Sequence, residues 1–195
     1  MKVVSLSGSL RENVGKKDAK AIRDAGRVPC VLYGSGEQTH FSADAVKVSK
    51  LVFTPDVNVV ELDIDGKKAR AIIQEIQQNP LTDKVTHMDF LELNDAKKVK
   101  VSLPVRIKGV SPGVISGGKL QQVFRKLKLV GLPKDLPEDI TLDISNLEIG
   151  DAIRVKSVVL PGVELLDPAN AVVVSVKMAR GAKKKAADEA EAEKK

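Results

Sequence analysis

The 195-residue chain contains no Trp, and its aromatic side chains are one Tyr and four Phe. A carbohydrate or ligand pocket walled by aromatics is therefore not expected. Cys30 is the single cysteine. It forms no internal disulfide and no thiolate cluster by itself, which points to a reducing cytosol. Set in Val-Pro-Cys-Val-Leu, it reads as a small buried hydrophobe. His40 and His87 are the two histidines, too few for a metal centre without cysteine partners. No apolar run approaches the ~18 residues of a membrane span. The N-terminal MKVVSLSGSLR lacks the continuous apolar segment of a signal peptide. These absences describe a soluble intracellular protein with no membrane partner.

What the chain does carry is charge. Its formal net charge is +6, which favours an acidic partner such as nucleic acid. The distribution is more informative than the sum. Residues 1–34 hold seven cations (Lys2, Arg11, Lys16, Lys17, Lys20, Arg23, Arg27) against three acids. Residues 35–92 hold six cations against ten acids. The first half is thus close to neutral but polarised, with one basic face.

Periodicity organises that half. Residues 2–11 alternate, with Val4, Leu6 and Leu10 on one side and serines on the other. A short helix is expected over Lys16–Ala25, stopped by Gly26. Its wheel gathers Ala19, Ile22 and Ala25 on one side. Lys16, Lys20, Arg23 and, if the turn continues, Arg27 fall on the other. Cys30–Tyr33 reads as a buried strand after Pro29. Ser42 is positioned to cap a helix over Ala43–Leu51. Asn58–Ile64 and Lys68–Ile76 flank Asp65-Gly66, a hairpin signal. Val85–Leu91 alternates, with Val85, His87, Asp89 and Leu91 on one face. Many short strands and two short helices predict a small barrel or sandwich over residues 1–93.

Residues 94–179 read as a second, β-rich domain. Val99–Ile107 alternates, residues 109–118 read as loop, and further strands are separated by Pro and Gly with no evident helix. From Arg180 the only apolar residue is alanine, so residues 180–195 read as a disordered, charged tail. The expected class is mainly β with minor α.

No catalytic constellation emerges. Gly8…Gly15-Lys16 has the wrong glycine spacing for a P-loop, and Lys17 stands where Ser or Thr is required. His87 and Asp89 lack a nucleophile or further metal ligands, so no enzyme, metal or cofactor is expected. Two readings of these residues stand. His87 is a structural histidine, or it joins Asp89, Gln74 and Gln77 in offering donors and acceptors to base edges. The cationic row likewise is a solvated helix face or a phosphate clamp. Its neighbours favour the clamp. Arg11 precedes the helix, Tyr33 ends the next strand, guanidinium binds phosphate bidentately, and a phenol stacks or donates.

The order of several motifs carries a resemblance. Arg11…Gly15-Lys16, AIRDAGRVPCVLYG (21–34), QEIQQNP (74–80) and HMDF (87–90) are followed by GGKLQQ (117–122), LPKDLP (132–137), LEIGD (147–151) and LPGV (160–163). From residue 3 to 178 the chain resembles the bacterial large-subunit ribosomal protein L twenty-five family in its long form, also called the Ctc general stress protein. The resemblance implies a structural constituent of the large ribosomal subunit. It implies an N-terminal β-barrel that binds 5S rRNA at loop E, a helix of non-Watson–Crick pairs, in the central protuberance. It also implies RNA contacts from Arg11, Lys16, Lys20, Arg23, Arg27, Tyr33, Gln74, Gln77, His87 and Asp89. Lys20-Ala21 and Gln78 depart from positions often basic in the family. The second domain's loops 109–118 and 131–139 become candidates for touching neighbouring ribosomal proteins or rRNA. The competing function is a stress-linked adaptor acting off the ribosome.

Overall fold

In a computed structural model, residues 2–34 and 36–178 are described. The stretch 180–195, expected to be a disordered tail, lies outside the described residues. The chain is mainly β with minor α and folds as two units. One is Met1–Val101 with Val130–Glu138; the other is Ser102–Leu129 with Asp139 onward.

The first unit builds a closed barrel from β1 (Val3–Leu10), β2 (Arg27–Tyr33), β3 (Thr39–Asp44), β4 (Val59–Ile64), β5 (Lys67–Gln78) and β6 (Val85–Glu92). The strand order is β1-β3-β2-β6-β5-β4, and the parallel pairing of β1 with β4 closes the ring. Closure leaves no open sheet edge. Leu6, Cys30, Phe41, Val60, Leu62, Met88 and Phe90 fill the interior. Helix α1 (Lys16–Asp24) follows β1, and α2 (Ala45–Val52) inserts Val48 and Leu51 into the same core. A Cβ on Gly8 would lie 2.6 Å from Phe41 Cδ2, so glycine lets that ring fill the barrel beside β1. At the β4–β5 hairpin, Asp65 (φ 47°) and Gly66 (φ 88°) form the two-residue turn expected of Asp-Gly, with Ile64 opposite Lys67.

Two local expectations change. The residue capping α2 is Asp44, whose Oδ1 accepts Val46 N at 2.8 Å and Lys47 N at 3.2 Å. Ser42 instead lies buried in β3, where register pairs it with Ser9 and Pro29. Backbone donation from Lys47, then Val46, holds the Asp44 carboxyl below its ordinary range. A lowered folded-state pKa contributes stability above the unfolded value, lost as pH falls through the folded value. Asp44→Ala is therefore expected to lower the thermal midpoint at neutral pH, with a smaller deficit at acid pH, where the parent's carboxyl becomes protonated. Melts at the two pH values check this; an equal deficit at both would remove the carboxylate from the explanation.

Beyond the barrel strands the chain forms two small sheets. One is four-stranded, ordered β10 (Ile140–Asp143), β7 (Val99–Lys108), β9 (Lys126–Gly131), β12 (Val163–Leu165). The other is three-stranded, ordered β11 (Ala152–Arg154), β13 (Val172–Met178), β8 (Gly118–Gln122). Leu103, Leu127, Leu129, Ile140, Val173 and Val174 are buried. The segment 109–118, expected as loop, contains one helical turn, α3 (Pro112–Ile115), with Pro112 in the first turn. Four residues are too few to leave a 3.6-residue pattern in the sequence.

Candidate nucleic-acid interface

The candidate residues converge on β6 and the elements around it. In β5–β6 the register pairs Gln77 with His87 and Glu75 with Asp89; in β2–β6 it pairs Val31 with Asp89 and Tyr33 with Leu91. Opposed residues share a face. Cys30 and Leu32 on β2 and Met88 and Phe90 on β6 point inward and are buried. Tyr33, Glu75, Gln77, His87 and Asp89 therefore share the outer wall.

Two bulges shape this wall. From Ile73↔Phe90 to Glu75↔Asp89, β5 advances two residues and β6 one, so Gln74 is the extra residue. It is exposed and has no opposed residue on β6. From Gln77↔His87 to Gln78↔Val85, β6 advances two, so Thr86 is extra. That bulge breaks the expected run of Val85, His87, Asp89 and Leu91 on one face. Val85 is buried in the core, while His87 and Asp89 stay on the wall.

His87 Nδ1 lies 2.8 Å from Asp89 Oδ1, and the two side chains are 26% and 28% exposed. That exposure sets the pair on the surface and not in the core. His87 Nδ1 is buried and makes no well-aligned hydrogen bond among the described residues, so it meets Asp89 by proximity alone. Tyr33 closes the wall at the end of β2. Burial first, then the carboxylates of Asp89 and Glu75, push its phenol above the ordinary tyrosine range. Glu75 was not a candidate from the sequence; its sign of membership was its place between Gln74 and Gln77. The wall thus offers a phenol, an amide, an imidazole and two carboxylates. Carboxylates accept hydrogen bonds from sugar hydroxyls and base amino groups and repel phosphate.

Positive charge stands beside this wall, on α1. The guanidinium of Arg11 donates from Nε (3.2 Å) and NH2 (2.7 Å) to Asp18 Oδ2, and its side chain is only 7% exposed. Arg11 thus ties the first turn of α1 to the end of β1. Lys16, Lys20 and Arg23 are exposed. Arg23 Nε donates to Thr86 O at 3.0 Å, which ties the last turn of α1 to β6 one residue before His87. The helix is therefore held at both ends beside the polar wall. Arg27 does not extend its cationic row. It begins β2, and its NH2 donates to Ser9 Oγ at 2.5 Å and Ser42 O at 2.7 Å across the barrel wall. The helix ends at Asp24, and Gly26 (φ 75°) turns the chain before Arg27 can join. Cys30 is a free, buried thiol, pushed up to about 12 chiefly by burial, and is inert at neutral pH.

Residues 6–90 match the Ribosomal L25p family, and residues 98–180 match the ribosomal protein TL5, C-terminal domain. The large ribosomal subunit protein bL25 of Christiangramia forsetii is 42% identical over 182 residues, covering 92% of this chain and 83% of its own. The bL25 of Bacteroides thetaiotaomicron is 39% identical over 192 residues, covering 96% and 98%. That of Porphyromonas gingivalis is 40% identical over 185 residues, covering 94% and 96%. With both halves matched in order and relatives aligned over most of their length, the chain belongs to the bL25 family in its long form.

Proposed function

We propose that this protein is a structural constituent of the large ribosomal subunit and that its barrel binds 5S rRNA at the loop E region, in the central protuberance. One observation carries the RNA-binding part. Tyr33, Gln77, His87 and Asp89 share one outer wall, and α1 presents Lys16, Lys20 and Arg23 beside it. A-form RNA hides its major groove, so proteins read shape, 2′-hydroxyls and exposed edges. The wall supplies groups for sugar and base edges, and α1 supplies cations for the backbone. Family membership favours a structural role over a catalytic one.

Filter binding of the full chain to 5S rRNA, with a loop E-disrupted RNA as control, tests the reading. Tight binding lost with the disrupted loop supports it; equal, weak binding to both rejects it. In the same assay Lys20→Ala is expected to flatten the slope of log affinity against log salt by roughly 0.7 to 0.9, as one lost phosphate contact does. An unchanged slope would make α1 only a solvated face. Co-sedimentation with large subunits separates this role from a soluble adaptor.

A further inference from the structure

The cationic row of α1 continues past its last turn onto another part of the chain. A cavity of about 430 Å³ opens where the end of α1 (Arg23, Asp24, Gly26) faces the β5–β6 turn (Asn79, Thr82, Lys84). Its cations are Arg23, Arg27 and Lys84, against the single acid Asp24. Arg27 is held by Ser9 and Ser42 in the barrel wall. Arg23 is anchored at the cavity by its Nε bond to Thr86 O. Lys84 is exposed, and no partner for its ammonium is seen among the described residues.

The turn that carries Lys84 is firmly built. Asn79 N donates to Lys84 O at 2.9 Å, Asp83 N to Asn79 O at 2.8 Å, and Leu81 N to Asn79 Oδ1 at 2.9 Å. Asp83 has φ 54°, a conformation that tight turns require. These bonds present Lys84 at a fixed place beside Arg23, and Val85 next to it is buried in the core. A cation anchored in this way loses little backbone entropy on meeting a phosphate.

We infer that Lys84, together with Arg23, binds a backbone phosphate of the bound RNA in this cavity. It takes the place at the end of the row that spacing alone had given to Arg27. The track then runs Lys16, Lys20, Arg23, Lys84, passing from α1 to the start of the strand that carries His87 and Asp89. This inference rests on the RNA-binding reading above.

The test is a salt titration of the full chain against 5S rRNA with three variants. Lys84→Ala is expected to flatten the log–log salt slope by roughly 0.7 to 0.9, as Lys20→Ala does. Lys84→Arg is expected to keep the slope. Thermal midpoints of both should match the parent, because the side chain is exposed. If Lys20→Ala flattens the slope and Lys84→Ala does not, the inference is wrong while the RNA-binding reading stands. If the parent does not distinguish 5S rRNA from the loop E-disrupted control, that reading fails and the inference falls with it.

Discussion

Phe90→Ala is expected to destabilise the first unit by about 3–5 kcal/mol, the range for emptying a buried aromatic site. Phe90 is fully buried, and its ring centroid lies 5.6 Å from that of Phe41 at a 43° tilt. The two rings are the largest side chains of the barrel interior, in a chain with few aromatics. A closed ring of strands relaxes poorly around a void, because each strand is hydrogen-bonded on both sides. At roughly 4 °C or more per kcal/mol for a unit of this size, the thermal midpoint should fall by about 12 °C or more. Phe90→Leu leaves a smaller void and should cost clearly less. The substitution also bears on the outer wall. Phe90 lies between Asp89 and Leu91 on β6, with its side chain on the opposite face. Loosening β6 from within should weaken RNA binding even at temperatures where the variant stays folded. A calorimetric or circular-dichroism melt gives the first effect and filter binding the second. A midpoint shift of only a few degrees would mean that Phe41 and its neighbours close over the void, and that the aromatic pair is not the keystone of the barrel.

The residues that alternate told most about this fold. Val4 and Leu6 against Ser5 and Ser7, the Asp65-Gly66 turn, and the strand Cys30–Tyr33 each specify strand, face or hairpin by local rules, although that strand buries Cys30 and Leu32 and turns Val31 and Tyr33 to the outer wall. The barrel follows from having many such strands and few helices. What escaped has a common cause. A bulge adds one residue to one strand, so a period of two carries straight through it. That is why Val85 was grouped with His87, and why Gln74 and Gln77 were treated alike although only Gln77 faces β6. Arg27 was placed on a helical wheel that ends three residues earlier, and what it bonds, Ser9 and Ser42, is set by strand pairing. Arg11 drew notice as a cation, but its pairing with Asp18 needs the chain to turn through Asn13. Lys84 had no signal at all: it joins the α1 row only because β6 begins where α1 ends. Ser42 and Asp44 were both good capping residues, and register decided between them.

Tyr33→Ala is expected to weaken 5S rRNA binding by about 1–3 kcal/mol, the usual contribution of an aromatic side chain stacked on a base, which is roughly 5- to 150-fold in affinity. The salt slope should stay unchanged, because no phosphate contact is lost. That combination distinguishes the wall from the clamp, since Lys20→Ala must change the slope. Tyr33→Phe keeps the ring and removes only the hydroxyl, so it should cost less, about 1 kcal/mol for one hydrogen bond. The hydroxyl is a donor in the neutral range, as in any tyrosine, and burial, Asp89 and Glu75 disfavour the phenolate further. The wall around Tyr33 makes this a sharp experiment. Glu75 and Asp89 face each other across β5 and β6, so the wall repels phosphate and cannot bind RNA through unspecific charge. An RNA that settles there must turn hydrogen-bond donors toward the carboxylates, and sugar 2′-hydroxyls and base amino groups are the donors it has. On the proposed reading, backbone attraction belongs to α1 and discrimination to the wall. If Tyr33→Ala instead flattens the slope, the ring acts by placing α1 and the division of labour is wrong. If it changes neither slope nor affinity, the RNA does not reach the end of β2, and the contact surface must be moved toward Gln77 and the β5–β6 turn.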